Sequence, residues 1–262
     1  MKKFLVPCLG VLLAGSLSAQ QKEGKVVYQR SVQMQITMAS QGGDPQTHNT
    51  TRTNKFELNF ANNQMSWKQM EEEMQDDNFS GGGMMIRTIG SSPDDITFCD
   101  FSLAKKVEQR DFMDKKFLIA DSIQKNNWKL TEETKTILNH LCRKAISQRI
   151  GKRTTMGMEN GKMERKEVDD TTNMIAWFTT DIPVPAGPEV QGQLPGLILE
   201  FESNNGRTVY KALEITPRPD LAAIKEPTKG KKVTRLQFTE ETRKLMDEMQ
   251  RNGGGQIRIR AN

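Results

Sequence analysis

The side chains able to do chemistry in this chain are few and scattered. Two histidines, His48 and His140, stand 92 positions apart, and neither sits in a zinc-helix, nucleophile-elbow or phosphate-loop motif. Asp94-Asp95 and Asp169-Asp170 offer paired carboxylates, the residue type of acid-base hydrolysis. Neighbours in a loop point their side chains apart into water, however, so no pair is selected and no catalytic residue is assigned. Close methionine pairs recur: Met34 and Met38, Met70 and Met74, Met84 and Met85, Met156 and Met158. Thioethers select Cu(I), which makes periplasmic copper handling the alternative function. Filling irregular gaps in a core is the commoner use of Met. No metal ligand or cofactor is assigned, and a hydrolase is the third reading.

The start of the chain sets the compartment. Lys2-Lys3, an apolar run from Phe4 to Leu13 and the small residues Gly15, Ser16, Ser18 and Ala19 form the layout of a secretory signal, residues 1–19. Cys8 lies inside the apolar run, which does not suit a lipid anchor. An exported, periplasmic or cell-surface product without a transmembrane segment is expected. Cleavage removes two of the 38 basic residues and none of the 33 acidic ones, leaving a net charge of +3. So small a surplus argues against nucleic acid as a partner. Export also makes Cys99 and Cys142 a disulfide candidate. A bridge closing that loop would contribute about 4 kcal/mol in the chain-entropy model; the other reading is two separate thiols packed as small apolar groups.

The elements that must position these groups are strands. Lys25 to Met38 alternates with period two, and Lys55–Phe60 turns through Ala61-Asn62-Asn63-Gln64 into Met65–Met70 as a hairpin. Further strands are read at 96–103, 107–119, 128–131, 135–138, 141–148, 175–179, 197–202 and 207–215. Short strands joined by polar turns favour antiparallel meanders. Two stretches lack a period and read as mobile insertions: the acidic, triple-glycine segment 71–95 and the charged excursion 149–170, whose Asn160-Gly161 suits a hairpin tip. After residue 216 a basic Pro/Gly-containing tail, 217–262, carries one helix over 240–251, capped by Thr239. Hydrophobic content of 35% is low for a globular chain and fits long solvated loops.

Between Ile182 and Gly196 stand four prolines and three glycines, a stiff, extended segment. Within it, Leu194-Pro195-Gly196-Leu197 carries Pro and Gly at the second and third positions that a type II turn requires, so Gly196 is expected to have positive φ. The segment has two uses. It closes one end of the sheet and buries Trp177, or it forms a binding groove with Trp177, Pro183, Pro188, Leu194, Pro195 and Gly196.

Ala176-Trp177-Phe178-Thr179-Thr180-Asp181-Ile182-Pro183, then Ala186-Gly187-Pro188, then Gly192-Gln193-Leu194-Pro195-Gly196-Leu197-Ile198-Leu199-Glu200 resemble the GLPGLI family of exported bacterial envelope proteins. The resemblance runs from about Lys115 to Ile215 and includes Trp128-Lys129-Leu130-Thr131 and Cys142-Arg143-Lys144-Ala145. Gln193 stands where that family has its first glycine, and His140 where an aromatic is common. The family has no assigned reaction, so the resemblance implies an accessory or binding role, with an outer-membrane transporter or another envelope protein as partner.

The sequence reading is a mainly β protein: one antiparallel domain over 20–216, curved or half-closed, with long loop insertions and a short C-terminal helix. A sandwich and a barrel with a covering helix are the alternatives. The function read is non-enzymatic binding in the envelope, with ligand unknown. The leader generates a direct prediction: intact mass of the exported protein places its first residue near Gln20, and a product that keeps Met1 or carries lipid refutes it.

Overall fold

The computed structural model describes residues 21–38, 46–71, 92–159 and 162–252. The leader 1–19, most of the 71–95 insertion and the end of the tail lie outside the described residues. The strands are β1 (Gly24–Met38), β2 (Gln46–Ala61), β3 (Gln64–Gln69), β4 (Ile96–Asp100), β5 (Lys105–Phe112), β6 (Lys115–Ser122), β7 (Lys129–Ile137), β8 (His140–Glu159), β9 (Lys162–Thr179), β10 (Leu197–Ser203), β11 (Thr208–Thr216) and β12 (Lys231–Val233). They form one open sheet in the order β12-β6-β5-β4-β3-β2-β1-β11-β10-β9-β8-β7. Every pairing is antiparallel except that of β12, which runs parallel to β6.

Turn chemistry explains the hairpins. Asn62 and Asn63 have φ of 53° and 60°, the left-handed pair that a two-residue hairpin needs and that asparagine tolerates. Met113-Asp114 and Leu138-Asn139 adopt the same geometry. The first divides the single strand read over 107–119 into β5 and β6. The pieces read at 128–131 and 135–138 are one strand, β7, whose register slips between Leu130 and Thr134.

The excursion read over 149–170 is regular backbone. β8 and β9 stay in register from Arg143↔Phe178 to Glu159↔Lys162, leaving positions 160 and 161, outside the described residues, for the tip. The stretch after residue 216 is not a free tail either. The Asp220 amide donates to Asn59 Oδ1 at 2.8 Å, Lys105 pairs with Glu226 at 2.8 Å, and Pro227 is buried before β12 joins the β6 edge. Helix α1 spans Arg235–Asn252, five residues earlier than the sequence suggested. Its start is a reciprocal cap: the Gln237 amide donates to Thr234 Oγ1 at 3.2 Å and the Thr234 amide to Gln237 Oε1 at 2.9 Å, the Ser/Thr-x-x-Glu/Gln box. Thr239 lies inside the helix, its hydroxyl bonded to the Arg235 carbonyl. Among the described residues no helix is long and apolar enough to cross a membrane.

The main core is built on one face of β1–β4 and β8–β11, with Tyr28, Leu58, Phe60, Met65, Phe178 and Phe201 fully buried. A smaller cluster joins Phe117, Ile119 and Val233 to Phe238 and Leu245 of α1, with the Phe117 and Phe238 rings edge to face at 5.3 Å. Cys99 and Cys142 are free, buried thiols. The disulfide candidate is therefore not formed. Burial pushes Cys99 up to about 12 and Cys142 to about 11, which keeps both protonated and apolar in character.

An ion-pair hub ties α1 to the sheet. Glu108 of β5, 3% exposed, accepts from Lys106 at 2.9 Å, meets Arg110 at 3.5 Å and pairs with Arg235. Burial alone would raise its pKa, but Lys106, Arg110 and Arg235 overcome this and hold the carboxyl at about 2. A folded pKa below the ordinary value of 4.5 means stability that is present above pH 4.5 and is lost as pH falls towards 2. The shift corresponds to about 3 kcal/mol. Melting curves between pH 6 and pH 2 therefore show an acid loss that Glu108→Gln, already less stable at pH 6, largely lacks. An equal acid loss in both proteins refutes the assignment.

Candidate functional site

The proline-rich segment has no strand beside it over most of its length, so its buried amides must be satisfied locally. They are: Val184 N donates to the Ile182 carbonyl at 2.8 Å, Ala186 N to Val184 at 2.7 Å and Val190 N to Pro188 at 2.6 Å. These are i to i+2 bonds, the γ-turn pattern. Pro183 and Pro185 occupy the centres of the first two, where a fixed φ near −65° is close to what an inverse γ-turn needs. Ile182, Val184, Ala186, Pro188 and Val190 are buried, so alternate residues face the core. Two further bonds, Leu197 N to Ile182 O at 3.0 Å and Ile198 N to Ala186 O at 2.9 Å, fold the segment back on the start of β10 as a strap.

The strap holds the sheet in a curve. Lys106 of β5 donates to Gln191 Oε1 at 3.3 Å, while Gln193 Oε1 accepts from the Trp128 indole and from the Asn126 amide, both at 3.0 Å. β5 and β7, which Trp128 immediately precedes, are nine places apart in the strand order. Nine flat spacings would separate them by about 43 Å. Two residues two positions apart reach both only because the sheet curls around the strap. Gln193, which replaces the first glycine of the resembled motif, has a task of its own as the acceptor for Trp128.

Gly196 is required for a reason other than the expected turn. Its φ is not positive, so the type II turn is corrected; Gly192, with φ of +74°, takes the left-handed conformation instead. A Cβ at Gly196 would stand 2.0 Å from the Thr179 carbonyl oxygen, because the strap passes against the end of β9.

The residues proposed for a groove do not converge. Leu194, Pro188 and Gly196 are buried and Pro195 is exposed. Pro183 lines a half-open cleft of about 550 Å³ with Lys22, Glu23, Asn62, Asn63 and Val184. Trp177 is half-buried, out of phase with the buried Met174, Ala176 and Phe178, so it is not the residue the strap covers. Lys135 and Lys144 stand over its ring at 4.2 and 5.8 Å and pair with Glu200 and Glu133. His140 Nδ1 lies 3.2 Å from Asp181 Oδ2. Of the methionine pairs, the side chains of Met34, Met38, Met156 and Met158, together with Met74, Met84 and Met85, lie outside the described residues.

A different set of residues is brought together, and the sequence reading did not select it. Tyr28, Phe56, Trp67 and Tyr210 form one aromatic wall: Trp67 stacks on Phe56 at 5.1 Å and tilts against Tyr28 at 5.3 Å, and Tyr210 meets Trp67 edge on at 5.9 Å. Register explains this, since Tyr28↔Phe56 and Leu58↔Trp67 are neighbouring cross-strand pairs. Arg30 lies over the Phe56 ring at 4.9 Å. Trp67 and Arg30 are half-buried, whereas the three other rings are buried. The same face continues through Thr97 to Glu108, paired in line with Trp67.

The strap completes the rim. The Tyr210 hydroxyl donates to Glu189 Oε1 at 2.6 Å, and burial, with Glu189 next, raises the Tyr210 pKa far above its usual value. Glu189 has φ of +59° at the centre of the third γ-turn, the rarer left-handed form, strained for a residue with a Cβ. An exposed glutamate is thus held in an unfavourable conformation beside a half-exposed indole and a cation. The signal available in the sequence was Phe56, Trp67 and Tyr210 in phase with Tyr28 on separate strands. Strand order was needed to join them.

Residues 128–200 match a family model described as "Protein of unknown function (Porph_ging)". No curated protein matches the chain. Two structures of PNGF-II, in space groups C2 and P21, share its fold with TM-scores of 0.51 and 0.50 at 15% identity, over 85% of this chain and 33% of theirs. The chain thus spans about a third of the length of those proteins.

The close approach at Gly196 yields a prediction. Gly196→Ala forces backbone apart and lowers stability by about 3 kcal/mol, the upper end of overpacking penalties. Gly151→Ala, where a Cβ meets nothing within 4 Å, changes denaturation midpoints little. Equal midpoints for the two variants refute this.

Proposed function

We propose that the chain is an exported binding or accessory component of the bacterial cell envelope, of the GLPGLI type, and that its ligand sits on the wall formed by Trp67, Arg30, Phe56, Tyr210 and Glu189. The observation that carries this reading is the strained Glu189, fixed by Tyr210 beside a half-exposed indole. Backbone strain of this kind persists where the surroundings over-determine it and clusters at ligand clamps. A half-exposed indole, backed by buried rings and edged by a carboxylate and a guanidinium, fits a ligand with an apolar face and a hydroxyl- or amide-bearing edge.

Binding without catalysis is supported by the state of the acids. Glu108 is kept ionised by its three cations, and Asp95 pairs with Arg110 at 3.2 Å while accepting from the Asp111 amide at 2.8 Å. Carboxylates locked in this way hold structure, whereas a general acid needs a raised pKa. The fold also occurs as a third of a longer protein, which fits an accessory unit.

Titration with soluble envelope glycan fragments and with peptides, followed by calorimetry, tests the site. Trp67→Ala is expected to abolish the response and to lower stability by about 2 kcal/mol, since the ring is half-buried. Trp177→Ala is expected to leave the response intact. Loss of binding in the Trp177 variant with retention in the Trp67 variant moves the site to the other tryptophan and overturns the proposal.

A further inference from the structure

Two hairpins outrun the rest of the sheet at the same end. β1 and β2 remain paired from Gly24↔Phe60 to Met38↔Gln46, but β11 accompanies β1 only to Val32↔Thr208. β8 and β9 remain paired to Glu159↔Lys162, but β10 accompanies β9 only to Met174↔Ser203, and β7 leaves β8 at Ile146. Ser203 pairs with Thr208, so Val32, Thr208, Ser203 and Met174 lie in one row. Beyond that row, among the described residues, the two strands between β1 and β9 are missing. The notch between the hairpins is three strand spacings across, about 14 Å, which is room for two further strands.

We infer that the notch is the dimerisation site of this chain, filled by the β8–β9 hairpin of a second copy. That hairpin is itself two strands wide. A two-fold axis normal to the sheet places the partner's β8 against β1 and the partner's β9 against β9. The joined order is β2-β1, partner β8-β9, β9-β8, partner β1-β2, and each notch receives the other copy's hairpin.

Strand direction agrees. Three antiparallel steps separate β1 from β9, so the two run oppositely, and the two-fold reverses the partner's strands. Both new pairings are then antiparallel, with no change in either fold. The arrangement is isologous and closed, the commonest form of homo-oligomer. It also covers long strand edges that otherwise invite uncontrolled pairing.

Charge agrees as well. On β9, residues 162–166 contain Lys162, Arg165 and Lys166 against Glu164, while residues 167–170 contain Glu167, Asp169 and Asp170. An antiparallel self-pairing lays the basic half of each strand along the acidic half of the other, which favours this partner over a parallel stack.

The test uses the chain from Gln20 at tens of micromolar, weighed by light scattering after size exclusion. Twice the chain mass is expected. Joining 149 to 172 through an Asn-Gly turn removes the hairpin's outer part and should halve the mass with cooperative melting retained. Because that variant can fail to fold, single cysteines are also placed in the intact hairpin as Lys166→Cys, Glu167→Cys, Val168→Cys and Asp169→Cys. Mild oxidation should cross-link the position at the two-fold far faster than Leu103→Cys, on an exposed turn; Cys99 and Cys142 are buried and do not compete. A full-length chain at single mass overturns the inference, even if a foreign hairpin binds it. A dimer that survives trimming, or cross-linking no faster in the hairpin than at position 103, overturns it too.

Discussion

One buried hydrogen bond joins the beginning of the fold to its end. The Tyr28 hydroxyl donates to the Ile198 carbonyl at 2.7 Å, across 170 positions of chain, with both residues shut off from solvent. The need for it arises in β10, whose register with β9 slips between Ile198 and Glu200, loosening the pairing of the backbone there. A buried carbonyl without a donor is unfavourable by about 1–3 kcal/mol, and Tyr28, in the middle of the sheet, supplies the donor. Burial also raises the pKa of its phenol far beyond its usual range, so the proton stays in place at any physiological pH. With Ile198 fixed, the strap has a fixed return, and through it Glu189 meets Tyr210 and Gln193 meets Trp128.

The second constraint is electrostatic. Helix α1 has no acid in its first turn, and Arg235 there opposes the helix dipole. Its pairing with Glu108 offsets that cost, so the helix is oriented by an ion pair and the Thr234–Gln237 box, with Phe238 and Leu245 as its apolar anchor. Basic residues that look like a solvated tail are thereby used to cover the β6 end of the sheet.

How much of this was legible depends on whether the cause was local. Alternation made β1 readable, and Asn62-Asn63 announced the β2–β3 hairpin because asparagine tolerates positive φ. Met113-Asp114 and Leu138-Asn139 make equivalent turns without glycine, held by the pairing of their flanking strands, and local chemistry under-reports such turns. The Leu194-Pro195-Gly196 motif carried the right residues for a turn, yet the need for glycine comes from the Thr179 carbonyl, a contact no window of sequence contains. Trp177 was expected beneath the strap because both strand faces looked apolar there. Its neighbours Lys135 and Lys144, themselves in ion pairs, let a large ring sit on the other face under cations. The aromatic wall depends on strand order alone.

The 149–170 segment fails to read as strand for the same reason that makes it available for contact. Alternation appears when one face of a strand is buried, whereas in this two-stranded ribbon charged residues occupy odd and even positions alike over 162–170. Its only structural signal is register with its partner, which sequence does not display. A ribbon of this kind is marginal alone and gains most from anything that completes its edges. Arg30, on the cationic side of the wall, lies two residues from Val32, where β11 ends and the notch begins. Whatever fills the notch therefore stands beside the rim of the wall, at a place set by the length at which β10 and β11 stop.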